Sequence, residues 1–384
     1  QFSFDNRHQN MMRSIIQDKT GIVWIGTNAG LGRFDGQKLR KYVHRQEDVH
    51  SLPHNYIHQI TEDIQHNIWI LTDGGIAQYR RSSDDFAIPL DDRGHPILAY
   101  SACLTEQGVI FGGRNRIYRY DYDSRSIKLL LDFSSDPYFA ISAISRWDEE
   151  TLLCCSRWQG LRLINLRSGE RRLPPFDCGK EIMALLIDSH NRIWLAPYNE
   201  GLRCFNPEGR LLASYTTDNS GLSNNVVLSM AERDSHIWVG TDGGGINLLD
   251  LKTGKAVTYS TANGLPSNYI YSILPDNKGH LWLSTDKGLA YITTSPSTTI
   301  TNIGFLDGLA NEFNFMSYTR LRNGDFVYGS TNGAVRFNPE NFTRPLYEAP
   351  LLFTSFEVPQ KSREKTEEKK IQFNRMLNEG KTIE

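Results

Sequence analysis

Three short stretches carry side chains suited to gripping a ligand: Arg114-Asn115, Arg157-Trp158-Gln159 and Tyr198-Asn199-Glu200. Their leading residues lie 43 and 41 positions apart. An arginine offers two parallel N–H donors that match a carboxylate or a sulfate. A tryptophan or tyrosine ring offers a flat apolar face, with a polar handle, on which a sugar ring can stack. Arg114, Asn115, Arg157, Trp158, Tyr198 and Asn199 are therefore the candidate ligand-binding residues. The competing reading is drift, with Trp158 packed under a loop.

Other chemistry is less well supported. His50, His54 and His58 have a spacing that would align metal ligands on a helix, but Pro53 interrupts any such helix and a strand begins at Ile57. Acidic residues at Asp18, Asp63, Asp188, Glu232 and Asp276 recur at one place in a repeat. That makes them turn formers, whereas catalysis needs a unique acid and base. Nucleophile-elbow and phosphate-loop patterns do not occur. Five cysteines, Cys103, Cys154, Cys155, Cys178 and Cys204, show no metal-type spacing and fall mostly in strand-like runs, as small hydrophobes. With 42 basic and 44 acidic residues the chain has no general footprint for nucleic acid or an anionic membrane. Neither a cofactor nor a metal is expected.

Recurrence is what positions the candidate stretches. Asp18 to Phe34 reads DKTGIVWIGTNAGLGRF, and close variants return at Asp63–Tyr79, Asp188–Phe205, Glu232–Leu248 and Asp276–Tyr291. Anchored on Trp24, the equivalent positions are Trp69, Ile110, Leu153, Trp194, Trp238, Trp282 and Val327, at steps of 41 to 45 residues. Eight units of that length, rich in short β-like runs and glycine turns, match the four-stranded blade of a β-propeller. The fold class expected is all-β, with eight blades favoured and seven as the alternative.

In the first unit, Met12 to Gln17 is the innermost strand, Asp18 to Gly21 a hairpin turn, and Ile22 to Thr27 a strand covered on both faces. Trp24 is expected to wedge between blades, and Gly26 to allow close backbone approach. Connections such as Ser51-Leu52-Pro53-His54-Asn55 and Gly221-Leu222-Ser223-Asn224-Asn225 recur, with the leucine plugging a blade edge. Units three and four keep the strand alternation but lose the Trp and the acidic opener. Residues 1–4 are expected to complete the last blade and close the ring, since closure removes exposed sheet edges. The expected division is 1–344 as propeller and 345–384 as a linker with the first strands of a second, Ig-like domain. The turns after the second strand and the connections between blades should share one face, around the mouth of the central channel.

With these motifs in view, the units resemble the two-component-regulator propeller repeats of periplasmic sensor regions in hybrid two-component systems of polysaccharide-degrading bacteria. The likeness rests on IVWIGTNAGLGRFDG at Ile22–Gly36, SLPHNYIHQITED at Ser51–Asp63, and the closing repeat at Gly308–Phe342. APLLFTSFEV at Ala349–Val358 is similar to the start of the Ig-like sandwich that follows such propellers. Members usually carry two seven-bladed propellers in tandem, whereas eight units are counted here. The resemblance implies a non-catalytic, periplasmic sensor domain for an oligosaccharide, which the arginines tilt toward an acidic or sulfated one. It also implies a homodimer in the full-length receptor, with the kinase outside this chain. A propeller glycan hydrolase or lyase and a protein-interaction scaffold are the alternatives.

Overall fold

The computed structural model describes residues 11–136, 138–156, 160–174, 181–294, 297–303, 312–330 and 333–342. The chain divides into two units, Gln1–Asn341 and Phe342–Glu384, and every described strand lies in the first. The expected closing strand at 1–4 and the Ig-like strand at 349–358 fall outside the described residues.

Strands β1 (Met12–Gln17), β2 (Val23–Thr27), β3 (Gly30–Phe34) and β4 (Leu39–Tyr42) pair antiparallel in chain order, forming the first blade. Six more four-stranded sheets repeat this order, and an eighth shows three described strands, Phe313–Arg320, Phe326–Ser330 and Gly333–Phe337. The protein is an eight-bladed β-propeller, which decides against seven blades. Units three and four form complete blades despite lacking the Trp, because alternation and β-branched or aromatic residues suffice to place each strand.

The second strand of each blade is largely apolar because neighbours cover both faces; all five residues of Val23–Thr27 are buried. Trp24 meets Tyr79 of the next blade edge-on at 4.7 Å, Trp69 meets Tyr120 at 4.7 Å, and Trp282 meets Phe337 at 4.8 Å. These are the inter-blade wedges the sequence suggested. A Cβ on Gly26 would lie 2.6 Å from Ile57 of the next blade, so that position must stay bare.

The acidic turn residue does more than form its turn. Asp18 is fully buried. Its Oδ1 accepts from the backbone N–H groups of Thr20 and Ile22, at 2.9 and 3.0 Å, and its Oδ2 accepts the Trp24 indole N–H at 2.9 Å. Asp63 does the same for Gln65, Asn67 and Trp69. Asp188 serves His190, Arg192 and Trp194, and Asp276 serves Lys278, His280 and Trp282. One carboxylate thus fixes a hairpin and orients the wedge.

Glu232 departs from this expectation. The sixth blade turns two residues later than that alignment places it, in a shorter hairpin at Asp234-Ser235, both with positive φ. Glu232 therefore pairs with Ile237 inside the strand, and its carboxylate accepts from Ser189 N and Oγ of the fifth blade. Spacing to the tryptophan matched it to Asp18, but the shorter hairpin moves it one place back, where Glu62 accepts from Lys19 N in the same manner.

Side-chain bonds also stitch innermost strands together. Ser14 Oγ accepts from Ile60 N at 3.0 Å, Gln59 exchanges two bonds with the Ala102 backbone, and Ser101 Oγ accepts from Ile144 N at 3.2 Å. The ring closes between the last blade and the first: Met12, Val23 and Ile25 share a core with Leu321, Val327 and Ala334, and Arg322 N donates to Gln17 Oε1 at 2.8 Å.

Burial pushes the Asp18, Asp188 and Asp276 carboxyls upward, but hydrogen bonds from their turns and tryptophans outweigh it and hold all three below the ordinary 3.8. A depressed carboxyl contributes stability in full above its unfolded value, and loses it as pH falls through the folded one. Urea unfolding should therefore show stability falling from pH 5 toward pH 2. Asp276→Asn should cost about 1–3 kcal/mol at neutral pH, because a buried donor loses its charged acceptor, and should flatten the acid slope. An unchanged midpoint would refute the role given to this residue.

Candidate functional site

At one end of each blade the turn after the second strand meets the connection into a neighbouring sheet. Asp73 N donates to Tyr56 O, Asp242 N to Val226 O, and Tyr198 N to Glu181 O. Across blades, Gly201 N donates to Asn225 O and Gly245 N to Asn268 O. Both kinds of loop share one face. Leu52, Leu222 and Leu265 of the connections are buried, as plugs should be. The approach is close: a Cβ on Gly74 would sit 2.3 Å from the Pro53 carbonyl oxygen.

Most of these turns are closed by a hydroxyl. Thr27 Oγ1 donates to Gly30 O at 2.9 Å, and Thr72, Thr241, Thr285 and Ser330 repeat the bond. Gly113, Ser156 and Pro197 occupy that position in blades three to five. The residues after them are the sequence-predicted candidates. Arg114 is exposed and takes a positive φ, with its carbonyl accepting from Ile141 N of the next blade at 2.5 Å. Asn115 beside it is half-buried, and its carbonyl accepts from Phe133 N. Tyr198 is 54% exposed and Asn199 takes a positive φ. Arg157 and Trp158 lie outside the described residues. The structure thus puts Arg114–Asn115 and Tyr198–Asn199 on the same face, in blades three and five, and does not place the pair between them.

Sequence reasoning missed the inner rim. Where an innermost strand begins, one residue is bulged out of register: Arg13 between Met12 and Ser14, His58 between Ile57 and Gln59, Ser142 in blade four and Met183 in blade five. Bulges re-aim a side chain without ending the strand, and they gather at functional rims. Tyr100 and Tyr271 stand at the same point, immediately before the first register pair of blades three and seven. The positions in blades one to three, Arg13, His58 and Tyr100, are linked in series with the help of Tyr56. The Arg13 guanidinium lies 4.8 Å over the Tyr56 ring, Tyr56 is 5.0 Å from His58, and His58 is 4.8 Å from Tyr100 in the next blade. His58 Nε2 is 2.6 Å from Asp73 Oδ1. A period of two says which strand residues alternate, but a bulge breaks that count, so no sequence pattern marked these residues as a set.

Across the ring by blade order, Tyr269 is partly exposed and lies over Gly243. Burial and then the carboxylates of Asp286 and Asp242 raise the pKa of Tyr271. That side of the rim is acidic and aromatic, and the side of blades one to three basic and aromatic.

The three histidines part company: His50 Nδ1 meets Arg80, His54 Nδ1 accepts from Tyr56 N, and His58 pairs with Asp73. Among the described residues, Asp188, His190 and Glu232 could gather around a cation. The Asp188 oxygens already serve two backbone amides, Trp194 and Arg192, while Glu232 holds Ser189. These are architectural bonds. Since the Tyr198 side chain contributes to none of them, Tyr198→Ala should change the free energy of unfolding by less than about 0.5 kcal/mol. A larger loss in urea denaturation would make it a packing residue.

Four segments, 7–29, 51–74, 221–243 and 264–287, match the model of the two component regulator propeller. Curated protein sequences give no match. Among solved structures, the extracellular domain of a putative one component system from B. thetaiotaomicron is 18% identical, with a TM-score of 0.48 over 86% of this chain and 47% of that one. The chain thus spans about half the length of that structure. The computationally designed Ika8 protein is 14% identical, with a TM-score of 0.58 over 88% of this chain and 98% of its own, a likeness of fold. Virginiamycin B lyase from Staphylococcus aureus is 12% identical, with a TM-score of 0.48 over 87% of this chain and 96% of that one.

Proposed function

Because this chain carries the repeats of the two-component-regulator propeller family, we propose that it is the extracytoplasmic ligand-sensing part of a two-component receptor, and that its ligand is an oligosaccharide. The observation that carries this reading is the break in the repeat at one face. In blades three and five the hydroxyl-closed turn gives way to the exposed Arg114 and Tyr198, which no packing demand requires. Guanidinium and phenol groups beside open aromatic rings suit a ligand dense in hydroxyls and flat apolar ring faces. The acidic residues that recur in the repeat hold turns and tryptophans, so they are not offered as an acid–base pair. The kinase belongs to a part of the receptor beyond this sequence, and the receptor signals as a homodimer.

Signalling then follows from differential affinity. The ligand must bind one arrangement of the dimer more tightly than the other, and it shifts the population by no more than that difference. A rigid ring suits the task, since the binding free energy is not spent on ordering the propeller itself.

Thermal-shift and calorimetric screening against plant and host oligosaccharides, with the same samples checked for cleavage products, tests the proposal. Stabilisation without turnover is the expected result. Product formation would instead make the chain a hydrolase or lyase. Indifference to all glycans would leave a protein-binding scaffold as the better reading.

A further inference from the structure

Within the sensor reading, the inner rim of blades one to three has a chemistry of its own. Arg13, Tyr56, His58 and Tyr100 form a run across three neighbouring blades, joined by successive contacts of 4.8, 5.0 and 4.8 Å. The carboxylate in this arc, Asp73, is engaged by His58 at 2.6 Å. Among the described residues Arg13 has no ion-pair partner, although it is exposed and ion pairs are common elsewhere on the surface. Arg13 projects from a bulge that its strand does not need for pairing. Its guanidinium rests on Tyr56, where the ring orders it without consuming its N–H donors.

We propose that this arc is the subsite for an anionic substituent of the glycan, a uronate carboxylate or a sulfate ester, with Arg13 as its principal contact. The inference rests on the oligosaccharide reading above. It moves the anion-binding position from the outer turns of blades three to five to the bulge of blade one. Tyr56 orders the guanidinium, and the His58–Asp73 pair keeps the neighbouring carboxylate from competing for it. A fork of two N–H donors fits either anion.

The test is calorimetry of the 384-residue chain with three probes: trigalacturonic acid, a chondroitin 4-sulfate tetrasaccharide and neutral β-1,4-galactotetraose. At least one anionic probe should bind and the neutral one should bind at least tenfold more weakly. Which of the two anions binds tells carboxylate from sulfate. Arg13→Ala should weaken the anionic probe about tenfold or more, the usual scale for one lost charged hydrogen bond. Arg13→Lys should recover only part of the affinity, because lysine lacks the fork. Equal binding of neutral and anionic probes, or an Arg13→Ala variant with native affinity, overturns the subsite while leaving the glycan sensor standing. Absence of binding by any of the three overturns the subsite, and the wider glycan screen then decides whether the sensor reading falls with it.

Discussion

A buried carboxylate facing an indole holds this ring together. Each of Asp18, Asp63, Asp188 and Asp276 lies at the end of an innermost strand and accepts from its own hairpin and from the tryptophan six residues on. Isolated burial of a charge is costly, and it is tolerated here because backbone and indole donors replace the lost water. The tryptophan, once oriented, fills the gap to the next blade. A local turn preference and the spacing between blades are therefore set by one side chain. Blades without the pair use aromatic or aliphatic packing instead, as Ile110 does within the shared core of blades three and four.

This division of labour explains why the two faces differ. The hairpins at the carboxylate end are fixed by bonds that every regular unit repeats, and changing one would loosen a wedge. At the opposite end a single threonine or serine hydroxyl closes most turns, and where it is replaced by Gly113 or Pro197 the sheet still forms. Variation is tolerated at that end because little of the packing depends on it. The free arginines and tyrosines collect there for the same reason.

How much the sequence revealed follows the same line. The period and the strand order were legible because each is enforced eight-fold, and the wedging tryptophans and the bare Gly26 because each recurs in several units; repetition makes a signal. Glu232 was misplaced because counting back from Trp238 assumes a constant hairpin length, and Asp234-Ser235 shortens it. The exposed positions of Arg114 and Tyr198 could be inferred as exceptions to the rule. The rim from Arg13 through His58 to Tyr100 could not, since its members stand in different units and meet only when the ring curves. Their bulges depend on how the strand leaves its connection, and residue type says little about that.

The bond from Arg322 to Gln17 joins positions 305 apart. While the chain is being made, the inward strand of the first blade has no neighbour on its open side until the last sheet emerges. At synthesis rates of about 5–20 residues per second, that interval is roughly 15–60 seconds. A half-built ring presents an uncovered apolar flank, Met12, Val23 and Ile25, for all of that time. The folding hazard of this protein is concentrated at its seam, and any chaperone assistance would matter most there.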